Sequence, residues 1–244
     1  MKTYGLIGYP LEHSFSGKYF AEKFEKENIQ NCEYQLFPIE NIQKFVNLKK
    51  QNIAGLNVTI PYKEQVIPYL DELDEHANAI GAVNVIQIKN GKTKGYNSDY
   101  YGFKDSLLDF LPKDFNSKAL VLGTGGASKA IKQVLVDLSI SFNIVSRKDG
   151  FDFTYEELNS KPAILDDYHL IINTTPLGTY PNVEEKPDIP YRALNNNHYL
   201  YDLVYNPSET AFMKAGQNQG AKTTNGLEML IGQAEKSWEI WNRS

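Results

Sequence analysis

The sequence predicts an α/β protein made of two lobes with largely parallel sheets. Apolar runs of strand length alternate with helical patterns from end to end of the 244 residues, as in chains built from β-α-β units. The pattern changes at Ala119–Leu122, an unbroken apolar run of the kind expected for a strand buried on both faces. This length suits one large domain or two small ones. We therefore expect two lobes joined near residue 100.

Apolar periodicity places the elements in order along the chain. Strands are predicted at residues 4–7, 32–37 and 55–59, with helices at 17–28 and near 41–50. Asn90-Gly91, flanked by strand candidates at 83–88 and 92–96, predicts a hairpin because both residues tolerate positive φ. Further strands are predicted at 119–122, 143–146, 170–173 and 200–204, with a helix over 127–138. One apolar stripe predicts a terminal helix; it comprises Leu227, Leu230, Ile231, Ala234, Trp238 and Trp241.

Composition excludes several classes of protein. The 25 Lys and Arg against 30 Asp and Glu give a net charge of −5, which lacks the basic footprint of a nucleic-acid-binding protein. No apolar stretch reaches the roughly 18 residues that a membrane helix needs, and residues 1–8 lack the apolar core of a secretory signal. The single Cys32 allows no internal disulfide, and no metal-ligand spacing connects the four histidines, His13, His76, His169 and His198. We expect a soluble cytoplasmic protein, monomeric or homodimeric, with no metal, nucleic-acid or membrane partner.

A glycine-rich turn separates the buried strand from the amphipathic helix of the second lobe. It reads Gly123-Thr124-Gly125-Gly126-Ala127-Ser128. Glycines allow a tight turn and let a pyrophosphate approach the N–H groups at the positive end of the helix. Serine stands at the third fingerprint position, where glycine or alanine is usual. In this context the turn predicts dinucleotide binding.

The next strand ends at Ser146-Arg147-Lys148. A site for NAD usually has Asp or Glu there to hold the ribose hydroxyls. A hydroxyl and two cations instead suit a 2′-phosphate, although such a pair of cations is often only a solvated surface feature. The position directly after the strand favours NADP.

Polar residues of the first lobe lie where the carboxyl ends of its strands should open onto a cleft. Ser14 with Ser16, and Asn57 with Thr59, are each two apart, so in extended chain both members of a pair face one way. One lysine, one carboxylate and a further amide follow at Lys63, Asp99 and Asn84. Hydroxyls, amides and an ion pair suit a polyhydroxylated acid as ligand. Each residue alone is more often a cap, a turn residue or a solvated charge.

Seven segments, in family order over nearly the whole chain, carry a family resemblance. They are Gly8-Tyr9-Pro10 with His13-Ser14-Phe15-Ser16, Asn57-Val58-Thr59-Ile60-Pro61-Tyr62-Lys63-Glu64, Gly81-Ala82-Val83-Asn84, Gly95-Tyr96-Asn97-Ser98-Asp99-Tyr100-Tyr101-Gly102-Phe103, Asn173-Thr174-Thr175-Pro176-Leu177-Gly178, Tyr205-Asn206-Pro207, and Asn225-Gly226-Leu227-Glu228-Met229-Leu230 with Gln233. Together with the glycine turn, these segments resemble the shikimate dehydrogenase family.

The resemblance implies an N-terminal α/β substrate lobe, residues 1–99, and a Rossmann-type NADP-binding lobe, residues 100–225. The terminal helix, within residues 226–244, would return to complete the first lobe. Lys63 and Asp99 would form the catalytic pair. The implied substrate-binding residues are Ser14, Ser16, Asn57, Thr59, Lys63, Asn84, Asp99, Tyr205 and Gln233. The implied cofactor-binding residues are Gly123, Thr124, Gly125, Gly126, Ala127, Ser128, Ser146, Arg147, Lys148, Thr174, Thr175, Leu203 and Gly226.

The implied reaction is reversible hydride transfer between NADPH and 3-dehydroshikimate, which gives shikimate for the synthesis of chorismate and aromatic amino acids. Three departures from the family pattern occur: Tyr62 for the usual His, Ser98 for the usual Thr, and Ser146-Arg147-Lys148 for Asn-Arg-Thr. The first two leave the choice between shikimate and quinate open. The alternatives are a quinate/shikimate dehydrogenase using NAD or NADP, a methylene-tetrahydrofolate dehydrogenase, and a non-catalytic dinucleotide sensor. Retention of both Lys63 and Asp99 argues against the sensor.

Overall fold

A computed structural model of the chain describes residues 1–11 and 14–243. It divides into two compact units, Met1–Tyr101 with Gln233–Ser244, and Gly102–Gly232. Each unit contains its own six-stranded sheet flanked by helices, so the predicted α/β class is confirmed. Within the described residues, no helix combines the length and the apolar character needed to cross a membrane.

The sheet of the first unit is mixed. Its strands, in chain order, are β1 (Lys2–Gly8), β2 (Cys32–Pro38), β3 (Ile53–Val58), β4 (Glu72–Leu73), β5 (Val85–Lys89) and β6 (Lys92–Tyr96). They lie in the order β2-β1-β3-β5-β6-β4. The pairs β1–β2 and β1–β3 are parallel, whereas β5 runs antiparallel to both β3 and β6. The turn between β5 and β6 is the predicted hairpin, with φ of 53° at Asn90 and 76° at Gly91.

Two apolar clusters lie on opposite faces of this sheet, because successive side chains of a strand point to opposite sides. Val85 belongs to one cluster and the adjacent Ile86 to the other. The helices of this unit are α1 (Phe15–Lys26), α2 (Phe45–Leu48), α3 (Tyr62–Gln65), α4 (Glu75–Ile80) and the first turn of α5 (Ser98–Phe110). The predicted helix near 41–50 is a 3-10 turn, Ile42–Lys44, followed by the single turn of α2.

The terminal helix, α9 (Leu227–Asn242), has its C-terminal part in the first unit, which confirms its predicted return. Trp241 stacks on Tyr4 with ring centroids 4.9 Å apart, and its indole N–H donates to the carbonyl of Ile86 at 3.1 Å. Glu235 accepts a 2.8 Å ion-pair contact from the buried ammonium of Lys23 on α1. Aromatic packing therefore anchors this helix to the first sheet, and the ion pair anchors it to α1.

The sheet of the second unit is entirely parallel. Its strands are β7 (Ala119–Leu122), β8 (Phe142–Ser146), β9 (Phe153–Thr154), β10 (Leu170–Asn173), β11 (Tyr199–Asp202) and β12 (Lys222–Thr224). Their order, β12-β11-β10-β7-β8-β9, is that of a doubly wound dinucleotide-binding fold, in which the strand order reverses between β7 and β10. The helices α6 (Gly126–Asp137), α7 (Tyr155–Ser160) and α8 (Ala211–Gln217) belong to this unit.

A buried polar chain joins the carboxyl ends of β10 and β11. The carboxylate of Asp202, with no exposed surface, accepts hydrogen bonds from Asn173 Nδ2 at 2.9 Å, Thr210 Oγ1 at 2.6 Å and the N–H of Val204 at 3.0 Å. Asn173 Oδ1 in turn accepts the hydroxyl of Thr175 at 2.6 Å. Burial raises the pKa of Asp202 from an ordinary 3.8 to about 6, against the opposing effect of these three donors.

The docking of the terminal helix predicts the effect of a side chain at Gly55. A Cβ there would lie 2.2 Å from Cδ1 of Trp241, so the indole must move out of its packed position. We expect Gly55→Ala to lower the free energy of unfolding by about 1–3 kcal/mol, measured by urea titration of tryptophan fluorescence. The control is Gly17→Ala, where the nearest atom would be 3.6 Å away. An unchanged midpoint for Gly55→Ala would contradict the packing of Trp241 against β3.

The raised pKa of Asp202 predicts a pH dependence of stability. A carboxyl whose pKa is higher in the folded than in the unfolded state stabilises the fold fully below about pH 4, and this contribution is lost as the pH rises through about 6. We expect the stability of the protein relative to its Asp202→Asn variant to fall by on the order of 2–3 kcal/mol over this window, measured by denaturation followed by circular dichroism.

Asp71→Asn is the matched control for that titration. Hydrogen bonds from Thr93 lower the pKa of Asp71. The stability advantage of wild type over this variant should therefore shrink as the pH falls, whereas its advantage over Asp202→Asn should grow. A wild type that keeps a constant stability difference from Asp202→Asn between pH 4 and 8 would show that Asp202 does not titrate in this window.

Candidate active site

The polar residues of the first unit gather at one edge of its sheet. Parallel β1 and β3 end at this edge, and antiparallel β5 begins there, because Asn57 on β3 pairs with Val85 on β5. Strand β6 also ends there, since Tyr96 pairs with Val85. The segments that follow β1, β3 and β6, and the one that precedes β5, therefore converge on one edge.

Two side-chain hydrogen bonds hold the start of α5, and one of them is the local cap from Asn97 Oδ1, which accepts the N–H of Tyr100 at 3.3 Å. The Oδ1 atom of the buried Asn84 accepts the backbone N–H of Ser98 at 2.6 Å. Helix α5 begins at Ser98, so Asp99 lies in its first turn, where the positive end of the helix favours a carboxylate. Asp99 Oδ2 accepts Lys63 Nζ at 2.6 Å. The backbone of Lys63 is held as well, because its carbonyl accepts the N–H of Val83 at 2.7 Å.

The ion pair is reachable from solvent. The side chain of Lys63 is 27% exposed and that of Asp99 is 14% exposed. An ion pair at this depth is screened less than one on the surface, yet a small molecule can contact it. The predicted catalytic pair is therefore formed in the structure, with an ammonium that retains further N–H donors.

Neutral polar groups form a hydrogen-bonded cluster that reaches Ser98, the residue before Asp99. The amide of Asn57 donates to Ser237 Oγ at 2.9 Å and accepts the phenol of Tyr34 at 2.8 Å. Ser98 Oγ lies 3.3 Å from Ser237 Oγ and 3.4 Å from Oε1 of Gln233. Predicted residues from β3, α5 and α9 thus come together. Sequence reasoning missed Tyr34 and Ser237; the spacing of four residues from Gln233 to Ser237, one helical turn, was an available signal for the serine.

The remaining predicted residues of the first unit are partly accessible. Ser14 is the N-cap of α1 and accepts the N–H of Gly17 at 3.4 Å. Because α1 begins at Phe15, Ser16 lies in its first turn. The prediction that Ser14 and Ser16 face the same way assumed an extended chain, so its reasoning does not hold for these two serines. Thr59 follows β3 and is half-buried.

Two further positions of the resembling segments can be placed. Tyr62 stands where the family has His, but its phenol donates to the carbonyl of Ile39 at 2.6 Å inside the core, so it adds no free hydroxyl to the polar cluster. His13 lies outside the described residues.

The glycine turn of the second unit has the shape that a dinucleotide needs. Gly123 has φ of +102°, and a Cβ there would lie 2.9 Å from Cγ2 of Thr175. A Cβ on Gly125 or Gly126 would meet nothing within 4 Å, so the turn faces open space. No side chain caps the N-terminus of α6. Its first N–H groups can therefore bind an anion.

A recess at the carboxyl ends of β7, β8 and β10 brings most predicted cofactor residues together. Its lining comprises Gly123, Thr124, Gly125, Ser146, Arg147, Lys148, Tyr155, Thr174, Thr175 and Pro176. Arg147 and Lys148 are exposed, and no carboxylate occurs at 146–148. Tyr155 was missed, although Thr154 and Glu157 form a capping box whose sequence signature places Tyr155 at the start of a helix.

Other predicted residues of this unit do not line the recess. Ser128 is buried and donates its hydroxyl to the carbonyl of Gly125 at 2.6 Å, so it stabilises the turn. Leu203 and Gly226 pack on each other, since a Cβ on Gly226 would lie 2.2 Å from the Leu203 carbonyl oxygen. Tyr205 is exposed in the segment after β11. The described residues contain no group of three or more metal-ligating side chains.

Comparison with known proteins identifies the family. Residues 6–86 match the shikimate dehydrogenase substrate binding domain. The NADP(+) shikimate dehydrogenase of Clostridium beijerinckii is 43% identical, over 99% of this chain and 92% of its own. Shikimate dehydrogenase 1 of Peptoclostridium difficile is 41% identical with a TM-score of 0.82, covering 99% of this chain and 91% of its own.

A solved shikimate 5-dehydrogenase of Thermus thermophilus, in complex with NADP(H) and shikimate, is 25% identical. Its TM-score is 0.85, and the match covers 99% of this chain and 94% of that one. Identity of 43% over nearly the full length, with the same two-unit fold, leads to one conclusion. The chain belongs to the shikimate dehydrogenase family.

Proposed function

We propose that this protein is an NADP-dependent shikimate dehydrogenase, which interconverts shikimate and 3-dehydroshikimate. The observation that carries the proposal is the 2.6 Å ion pair of Lys63 and Asp99, set among buried amides and hydroxyls. The same chain carries a glycine turn followed by two cations and no acid at the end of β8. NADP, when bound, supplies or accepts the hydride.

Lys63 would manage the proton of the reaction. Its ammonium, next to the ring oxygen, stabilises the negative charge that develops there during reduction, and Nζ–H donates the proton to that oxygen. In the oxidation direction the same nitrogen receives the proton. Asp99 orients the ammonium through Oδ2 and leaves Oδ1 to accept a hydroxyl of the substrate.

The neutral residues of the first unit, together with Tyr205 of the second, would bind the remaining polar groups of the substrate. Shikimate carries three hydroxyls and a carboxylate, which need both donors and acceptors. The proposed set comprises Ser14, Ser16, Asn57, Thr59, Asn84, Tyr205 and Gln233, with Lys63 and Asp99 at the reacting end. Asn57 and Asn84 are already hydrogen-bonded to neighbours, so the hydrogen-bonding capacity that remains is held in place and the side chains lose little freedom on binding.

The second unit would bind NADP. The turn Gly123–Ser128 and the N–H groups of α6 suit the pyrophosphate, Thr174 and Thr175 line the same recess, and Leu203 with Gly226 would lie near the nicotinamide. Ser146, Arg147 and Lys148 would bind the adenosine 2′-phosphate. In domain terms, residues 1–99 with 226–244 would hold the substrate, and residues 100–225 the cofactor.

The proposed setting is a cytoplasmic enzyme, monomeric or homodimeric, whose partners are small molecules. A net charge of −5 disfavours binding to nucleic acid and to anionic membrane surfaces. The proposed product, shikimate, places the protein in the synthesis of chorismate and aromatic amino acids.

Purified protein should reduce NADP with shikimate, seen as the rise of nicotinamide absorbance, and faster than with quinate or with NAD. Lys63→Ala should cut turnover at least about a hundredfold, because an acid–base and electrostatic group is lost, while the KM for shikimate changes far less. The matched control is Lys44→Ala, which removes a surface ion pair with Glu40 at 2.8 Å and should leave turnover unchanged. Turnover with quinate but not with shikimate would contradict the substrate assignment. A Lys63→Ala variant that keeps its activity would contradict the role of the lysine.

The cofactor assignment predicts an asymmetric effect at Arg147. NADP differs from NAD by one phosphate, and an arginine offers it a two-pronged donor set. Arg147→Ala should therefore weaken the binding of NADP by about 1.5–3 kcal/mol, or roughly ten- to a hundredfold in affinity. The affinity for NAD should change little. Arg192→Ala, at another exposed arginine of the same unit, serves as the control. Equal losses for NAD and NADP, measured by steady-state kinetics, would remove the physical basis for the preference.

A further inference from the structure

Strand register places Tyr155 beside Arg147. In the parallel pair β8–β9, Ser146 is the partner of Thr154. Arg147 and Tyr155 are therefore the first residues beyond the carboxyl ends of two neighbouring strands, which lie about 4.8 Å apart. The connection between the strands is tied back to β8, because Asp152 Oδ2 accepts the N–H of Ile144 at 2.7 Å.

The ring of Tyr155 has two environments. It packs against the buried apolar cluster of the second unit, and it also lines the recess with Arg147 and Lys148. Burial raises its pKa to about 12, while the charge of Arg147 acts in the opposite direction. The phenol is thus protonated at neutral pH and can donate. In the part of the chain that the structure describes, no other residue forms a hydrogen bond with this hydroxyl.

Of the nearby carboxylates, Asp149, Asp152, Glu156 and Glu157, none lines the recess, and two are hydrogen-bonded to other donors. Glu157 accepts the backbone N–H of Thr154 at 2.7 Å and its hydroxyl at 3.2 Å, and Asp152 is bound to β8 as described. This end of the recess therefore presents two cations, the hydroxyl of Ser146 and the phenol of Tyr155. A dianionic phosphate complements this set, because it accepts several hydrogen bonds and carries the opposite charge.

We propose that Tyr155 is a specificity-determining residue of the cofactor site, whose phenol donates a hydrogen bond to the 2′-phosphate of NADP alongside Arg147. This inference rests on the proposed function, since it assumes that the recess holds the adenosine end of NADP. It assigns the discrimination between NADP and NAD to groups from two strand ends, β8 and β9, where the sequence indicated only one.

Tyr155→Phe tests the inference, because it removes one oxygen and keeps the ring that packs on the core. Calorimetric titration of the full-length variant measures its affinity for NADP, NAD, adenosine 2′,5′-bisphosphate and adenosine 5′-monophosphate. We expect roughly tenfold weaker binding of NADP and of the bisphosphate, with NAD and the monophosphate unchanged. Tyr191→Phe is the control, because its phenol donates to the carbonyl of Pro187 at 2.8 Å and does not line the recess.

Equal affinities of wild type and Tyr155→Phe for the bisphosphate, or equal losses for NADP and NAD, would overturn the inference. Failure of the proposed function has a different result: a wild type that binds NADP tightly but does not oxidise shikimate. In that case the loss confined to 2′-phosphorylated ligands would still support the role of Tyr155. A wild type that binds NAD but not NADP would overturn both.

Discussion

The hydrogen bond from the backbone N–H of Ser98 to the side chain of Asn84 is the contact on which the polar site depends. Both residues are buried, and leaving such a donor unsatisfied costs about 1–3 kcal/mol. Together with the local cap at Asn97, whose Oδ1 accepts the N–H of Tyr100 at 3.3 Å, the bond holds the first turn of α5 and so the position of Asp99. Asp99 then holds Lys63, whose position is also fixed through its own carbonyl by Val83. Two buried amides thus set the geometry of the Lys63–Asp99 ion pair.

The two units would bind charged ligands in different ways. The second unit would use backbone N–H groups of its glycine turn and cations on an exposed strand end, where water screens them and side chains can adjust. The first unit combines one ion pair with a cluster of neutral groups that are already bonded to each other, such as Asn57 with Tyr34 and Ser237. Preorganisation of this kind aligns a reacting group without reorganisation at the moment of reaction.

The sequence predicted the elements whose signal is local. The predictions of a strand at Ala119–Leu122 and of a hairpin at Asn90-Gly91 were correct. Burial on both faces requires an unbroken apolar run, and positive φ favours Asn and Gly, so each feature is visible in the local sequence. The edge strands β4, β9 and β12 were missed, since two or three residues are too few to show a period of two. The start of α5 was missed although a local signal exists, because Asn97 precedes the helix and its Oδ1 accepts the N–H of Tyr100 at 3.3 Å. The second bond at this helix end, from Ser98 to Asn84 fourteen residues away, leaves no local pattern.

The first unit is discontinuous in sequence, and this affects how the chain is made. Its N-terminal part, Met1–Tyr101, acquires Gln233, Ser237 and Trp241 only after all of Gly102–Gly232 has been synthesised. During translation the face of the first sheet that Trp241 covers in the native fold therefore stays exposed until the second unit has left the ribosome. The order of synthesis makes the second unit the first to complete its own fold, and it makes the polar cluster around Asn57 the last part of the molecule to be assembled.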